Sequence, residues 1–145
     1  MRLIVEYSNE AHRREVVDLW TAAFGYETAH NAPGLAIDKK LEVGDGLFFV
    51  ALEADAVVGT ILAGYDGHRG WLYSVAVRAS SRHRGIGTAL VRHAERTLTE
   101  RGCVKINLQI AGGNEGVTAF YESLGYVVEP RISMGKRIGE NIPSR

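Results

Sequence analysis

The chain has a single cysteine, Cys103, among 145 residues. No intrachain disulfide can form, and no cysteine-based metal cluster exists. Net charge is also missing, because seventeen basic residues balance seventeen acidic ones. A dedicated nucleic-acid binder usually carries a marked basic excess, so no nucleic-acid partner is expected. Long apolar runs are absent too. The opening MRLIVEYSNE holds only three consecutive strongly apolar residues, too few for a signal h-region, and no later stretch is long enough to span a membrane. No His/Asp/Glu cluster has ligand spacing, so no metal is expected. Repeats, low-complexity tracts and interdomain linkers are lacking. These absences point to a cytoplasmic protein without a membrane partner.

What is present is a globular composition, 46% hydrophobic and 23% charged, enough for one core of ordinary size. One domain over residues 1–138 is expected, followed by a frayed tail at 139–145. RLIVEY reads as a strand. Ser8 or Asn9 can cap a helix over 10–24, where Val16, Leu19, Trp20 and Ala23 recur at helical spacing. A short helix is placed at 35–43. LFFVALE and AVVGTILAGY, separated by Ala54-Asp55, form a hairpin, and WLYSVAV extends it to a meander.

The period then changes. Ile86, Leu90, Val91, Ala94 and Leu98 form a helical stripe, with Gly102 where a helix end favours a left-handed residue. VKINLQI alternates, placing Val104, Ile106, Leu108 and Ile110 on one face. Asn114 can cap a helix ended by Gly125, and YVVE and RISMGKRI read as two last strands split by Pro130. Strand 71–77, helix 86–101 and strand 104–110 make a right-handed crossover with parallel strands. The reading is an α+β domain with a mixed sheet of six to seven strands, helices on both faces and the parallel pair at the centre. Cys103 is expected to pack as a small hydrophobe, and His12 and His93 to lie on helix surfaces.

Between the strand and the helix stands SRHRGIG. A helix N-terminus offers unpaired N–H groups and about half a positive charge. Glycines let a backbone approach an anion closely. Residues 82–88 therefore read either as a phosphate cradle or as a glycine-rich turn with solvated arginines. The spacing fits neither a P-loop nor the dinucleotide fingerprint, which needs a small residue where Leu90 stands.

Arg82-x-x-Gly85-x-Gly87 resembles the R/Q-x-x-G-x-G/A motif of the GNAT N-acetyltransferases. Downstream, Asn114, Tyr121 and Gly125-Tyr126 resemble that family's second signature. The element order matches over essentially the whole chain, and GYDGHRG with GCVKI is similar to the small bacterial YpeA-like branch. The resemblance implies a GNAT-like domain whose central parallel strands splay apart to hold acetyl-CoA or coenzyme A. Its phosphates would sit on Arg82, His83, Arg84, Gly85, Ile86, Gly87 and Thr88, and its pantetheine on the backbone of Val75, Ala76 and Val77 and on Asn114. An unidentified primary amine would be the acceptor, and a homodimer is allowed.

The resemblance also implies roles for single side chains. Tyr121 matches the tyrosine that faces the sulfur and protonates the thiolate; periodicity alone reads it as a core aromatic beside Phe120 and Leu124. Many family members carry a Glu or His base where Trp71 and Tyr73 stand; the enzymes that acetylate ribosomal-protein N-termini place a glutamate where Gln109 stands, and some members a lysine where Ser123 stands. With no such base, a water chain ordered by Tyr73 is expected, on the premise that Trp71, Tyr73 and Val75 share a face. Asp66 and His68, in the turn before the central strand, are the alternative candidates for the base, and a tight turn also explains them. Tyr26, Glu27 and His30 fall in a loop that borders the acceptor in the family. The missing base also leaves open a non-catalytic acyl-CoA-binding module.

Overall fold

The computed structural model describes residues 2–25, 32–112 and 114–139. In chain order these form β1 (Arg2–Glu6), α1 (Asn9–Phe24), α2 (Pro33–Val43), β2 (Phe48–Glu53), β3 (Ala56–Tyr65), β4 (Gly70–Val77), α3 (Ile86–Glu100), β5 (Ile106–Leu108) and α4 (Glu115–Ser123). One mixed sheet runs β1-β2-β3-β4-β5. The first four strands pair antiparallel, and β4 pairs parallel with β5.

Strand alternation feeds two cores. Phe48, Val50, Leu62 and Ala76 pack with Val16, Leu19 and Trp20 of α1 and Ile37 of α2. Phe49, Ala51, Ile61, Ala63 and Leu72 pack with the α3 stripe, Cys103 and Tyr121 of α4. The five stripe residues of α3 are each 1% exposed or less, and burying a leucine or isoleucine fully contributes about 1.5–3 kcal/mol. Local signals hold where they depend on φ. Ser8 caps α1 by accepting from the Ala11 N–H at 3.3 Å. Ala54 and Asp55 both take positive φ, 49° and 65°, the type I′ turn that matches strand twist. Gly102 and Gly125 end their helices at φ 93° and 98°.

Three expectations are corrected. The sheet has five strands among the described residues, where six to seven are predicted, so the parallel pair lies at the sheet's edge rather than its centre. Residues 126–139 hold no strand. They are tied to the β5 region through side chains, Lys105–Glu129 at 2.7 Å and Gln109 Nε2 to Ser133 Oγ at 2.6 Å. Val127, Val128, Ile132, Met134 and Ile138 have no face to pack on and stay exposed. β5 itself is cut to three residues, and Val104 is 93% exposed. Lastly, His12 is buried, its Nδ1 accepting from the Ser8 N–H at 3.0 Å. His93 is half-buried, edge-on to Phe49 with ring centres 4.5 Å apart. Burial, then Arg96, lowers the His93 pKa. Residues 140–145 of the expected tail lie outside the described residues.

Candidate functional site

The site grows from a break in β4. Register with β3 runs Leu62↔Tyr73 and then Thr60↔Ala76, so Ile61 faces two residues, Ser74 and Val75. Ser74 takes φ +48°, a left-handed conformation costing a non-glycine residue about 1–2 kcal/mol. The extra residue reverses the side-chain faces. Tyr73 stays opposite Leu62 on the α1/α2 face, while Val75 and Val77 pack on the α3 face. Trp71, Tyr73 and Val75 therefore do not share a face, and the premise of the expected water chain is corrected: the bulge resets the alternation.

The same strand loses a neighbour. Its pairing with β5 covers Gly70↔Ile106, Trp71↔Asn107 and Leu72↔Leu108 and stops there, while β4 runs on to Val77. The Arg78 N–H donates to Val58 O at 2.8 Å. Strand alternation then turns the amides of Val77 and Val75 away from β3, toward the side β5 does not reach.

At the end of this open edge the chain passes through a 3₁₀ turn, Ala79–Ser81, and enters α3. His83 and Gly85 both have positive φ, 64° and 80°. Gly85 serves as the left-handed N-cap, with no side-chain cap bond. Gly87 has a different reason: a Cβ there would stand 3.3 Å from Phe120 Cζ and 3.7 Å from Val77 Cγ2. It lets α3 approach α4 and β4. The Ala89 N–H bonds Gly85 O, which leaves the amides of Ile86, Gly87 and Thr88 as the free first donors of the helix. Ile86 offers only its backbone, since its side chain is buried.

The three basic residues are not equivalent. Arg82, His83 and Arg84 are exposed. Arg82 Nε donates to Val77 O at 3.4 Å. Arg84 reaches back to Glu53, 2.7 Å, and its carbonyl accepts from Arg2 Nη2 at 2.9 Å. Glu53 thus holds Arg84, a partner no local pattern announced.

Tyr121 belongs to the apolar cluster that Val75, Val77, Leu108 and Phe120 also join. Phe120 and Tyr126 meet its ring edge-on, at 5.0 and 5.6 Å between ring centres. Its hydroxyl has no hydrogen-bond partner among the described residues, and burial alone pushes its pKa up to about 12. It stays protonated at neutral pH. Tyr126 contrasts with it, donating to Glu95 Oε2 at 2.8 Å. Asn114 occupies the N-cap position of α4 but makes no side-chain cap bond. The expected cap is corrected: with ψ at 68°, short of the extended value that Ser8 takes, the exposed amide stays outside the helix.

Tyr73 is 46% exposed, and its hydroxyl covers Gly64, 2.8 Å from where a Cβ would stand. Burial, with Asp45 and Asp66 nearby, raises its pKa, so it is no base at neutral pH. Asp66 is a turn residue, accepting from the His68 and Arg69 amides at 2.7 Å each. Tyr26, Glu27 and His30 lie outside the described residues. A cavity of about 420 Å³ between α2 and the start of β2 contains none of the sequence-predicted residues. Among the described residues no three His, Cys, Asp or Glu side chains cluster as metal ligands, and no helix is long and apolar enough to cross a membrane.

The Acetyltransferase (GNAT) family model matches residues 10–126. The acetyltransferase SG1711 of Sodalis glossinidius is 41% identical over 128 residues, covering 88% of this chain and 89% of its own. The acetyltransferase YE1169 of Yersinia enterocolitica is 40% identical over 108 residues, 74% of this chain and 77% of its own. The PaiA N-acetyltransferase of Thermoplasma acidophilum, solved with coenzyme A, superposes with a TM-score of 0.78 over 91% of this chain and 93% of its own at 16% identity, a likeness of fold.

Proposed function

The chain belongs to the GNAT acetyltransferase family, and from that premise we propose that it transfers an acetyl group from acetyl-CoA directly to a primary amine in a ternary complex. The acceptor is a small molecule or a protein lysine or N-terminus. The observation that carries this reading is the open edge of β4, which ends at the free amides of α3.

Each residue then has a task. The pantetheine adds to the edge of Val75–Val77 as a strand would. The pyrophosphate lies on the amides of Ile86, Gly87 and Thr88, with Arg82 adding charge and His83 a ring N–H donor. Arg84 contributes after parting from Glu53, and Asn114 bonds the pantetheine arm. The neutral amine attacks the thioester carbon while a β4 amide stabilises the charge growing on the carbonyl oxygen. The C–S bond breaks, Tyr121 protonates the departing thiolate, and the amine's proton leaves to solvent water. No Glu or His lies on β4, and that favours one second reading, an acyl-CoA-binding module without turnover.

Isothermal titration of acetyl-CoA and coenzyme A into the native protein and Gly85→Glu tests the site. Gly85 has φ +80°, and a Cβ there would meet only Arg2 Nη1, at 3.9 Å, so the substitution brings strain and a negative charge to the proposed cradle. Micromolar-range binding weakened at least about tenfold in the variant, about 1.4 kcal/mol, is the expected result. An amine-library screen then separates turnover from binding alone. No binding to the folded native protein would sink both readings.

A further inference from the structure

We propose that Trp20 and Thr60 are positioning residues that aim the Val75 amide at the acetyl carbonyl; this rests on the acetyl-transfer reading above.

A buried polar relay crosses the α1/α2 core and ends on the bulge. Trp20 Nε1–H donates to Thr60 Oγ1 at 2.8 Å, and the Thr60 hydroxyl donates to the Ser74 carbonyl at 2.9 Å. Thr60 is fully buried and Trp20 is 3% exposed. A hydroxyl has one proton. With the indole N–H filling an acceptor position, that proton goes to the carbonyl, so the relay has a direction.

The consequence follows from peptide geometry. The Ser74 carbonyl and the Val75 N–H belong to one planar, trans unit and point in opposite directions. Anchoring the carbonyl on Thr60 therefore sends the Val75 N–H away from β3, into the edge that β5 leaves open beyond Leu72. The relay also holds Ser74 at φ +48°, which a serine keeps only where its surroundings over-determine it. Thr60 is the one residue with a polar side chain in the buried stretch Val57–Gly64 of β3. A valine would fill that space without the cost of burying a hydroxyl. The hydroxyl is thus explained by what it holds. Its donor chain further polarises the peptide whose N–H faces outward.

Isotope-edited infrared spectroscopy of acetyl-CoA labelled with ¹³C at the carbonyl reads that amide directly and needs no acceptor. The expected result is a carbonyl band shifted to lower frequency on the native protein, shifted less on Thr60→Val and restored on Thr60→Ser. Trp20→Phe, which removes only the first donor of the relay, shows a partial loss and decides the matter if Thr60→Val does not fold. With an amine acceptor, kcat of Thr60→Val falls about tenfold while KM stays within about threefold, the split expected when one oxyanion donor is misaimed. A folded variant that binds acetyl-CoA and keeps the native band position would overturn the inference while acetyl transfer stands. A native protein that binds but shows no band shift does the same. A native protein that does not bind acetyl-CoA overturns the reading and the inference together.

Discussion

The two halves of β4 differ in their neighbours. Before the bulge, Gly70 donates its N–H to Lys105 O at 2.8 Å, and residues 70–72 are paired on both sides. Cys103 Sγ and Leu98 Cδ1 stand only 2.8 and 3.0 Å from where a Cβ on Gly70 would be. After the bulge, residues 76–77 pair with β3 alone, and the chain beyond them turns into the free amides of α3. One half anchors the strand and the other offers its edge. A sheet leaves an edge open by withholding a neighbour.

Tyr121→Phe gives the largest effect on the open half. Acetyl transfer to the amine found by the screen should slow about 100-fold, the contribution of a positioned acid. The melting temperature at pH 7 should hardly move, because the lost hydroxyl has no partner among the described residues. An unchanged rate would return Tyr121 to the core as a packing residue only. The same variant carries a pH signature. The folded pKa of Tyr121, pushed up to about 12, exceeds its ordinary value of 10.0. The native protein's stability is therefore unaffected by this group below pH 10 and falls as pH rises toward 12, by about 3 kcal/mol in all. Thermal melts from pH 8 to 12 should show a shallower alkaline loss in Tyr121→Phe. Tyr126, whose pKa is also raised, keeps its share of the loss in both proteins.

Gly70→Val attacks the closed half. Overpacking against Cys103 and Leu98 should cost about 1–3 kcal/mol in urea unfolding. Acetyl-CoA affinity of the folded fraction should stay native. Lost affinity at full folding would mean that the halves are not separable. The smallest effect belongs to Asp66→Ala, in the turn before β4. Its carboxylate pKa is lowered, chiefly by the Arg69 and His68 amides. The native protein therefore loses this contribution as pH falls through that lowered pKa, and the variant should melt slightly lower at neutral pH with coenzyme binding intact. A loss of binding would draw Asp66 into the site.

Much of the frame was legible because it is local. The α3 stripe follows a 3.6 period, the Ala54-Asp55 hairpin follows from two β-rich runs two residues apart, and the glycine helix ends follow from allowed φ. The motif residues around Gly85 and Tyr121 pointed to the family that the chain is found to belong to. Legibility failed where neighbours decide. Alternation in 104–110 and 131–138 promised strands, yet pairing stops at Leu108 and nothing covers Ile132 or Met134. His12 reads as a surface residue until Ser8 bonds it, and Asn114 reads as a cap although its side chain makes no cap bond.

By itself, then, the sequence determined the helices, the meander, the turns and the glycine-opened α3, since each depends on residues a few positions apart. Only the tertiary structure decided that β4 bulges at Ser74, that β5 ends three residues into its pairing, and that Glu53 and Arg2 hold Arg84. Serine has no intrinsic preference for a left-handed φ, and these arrangements join residues far apart in the chain. Their free energy exists only once the sheet has formed and the distant partners are brought within reach.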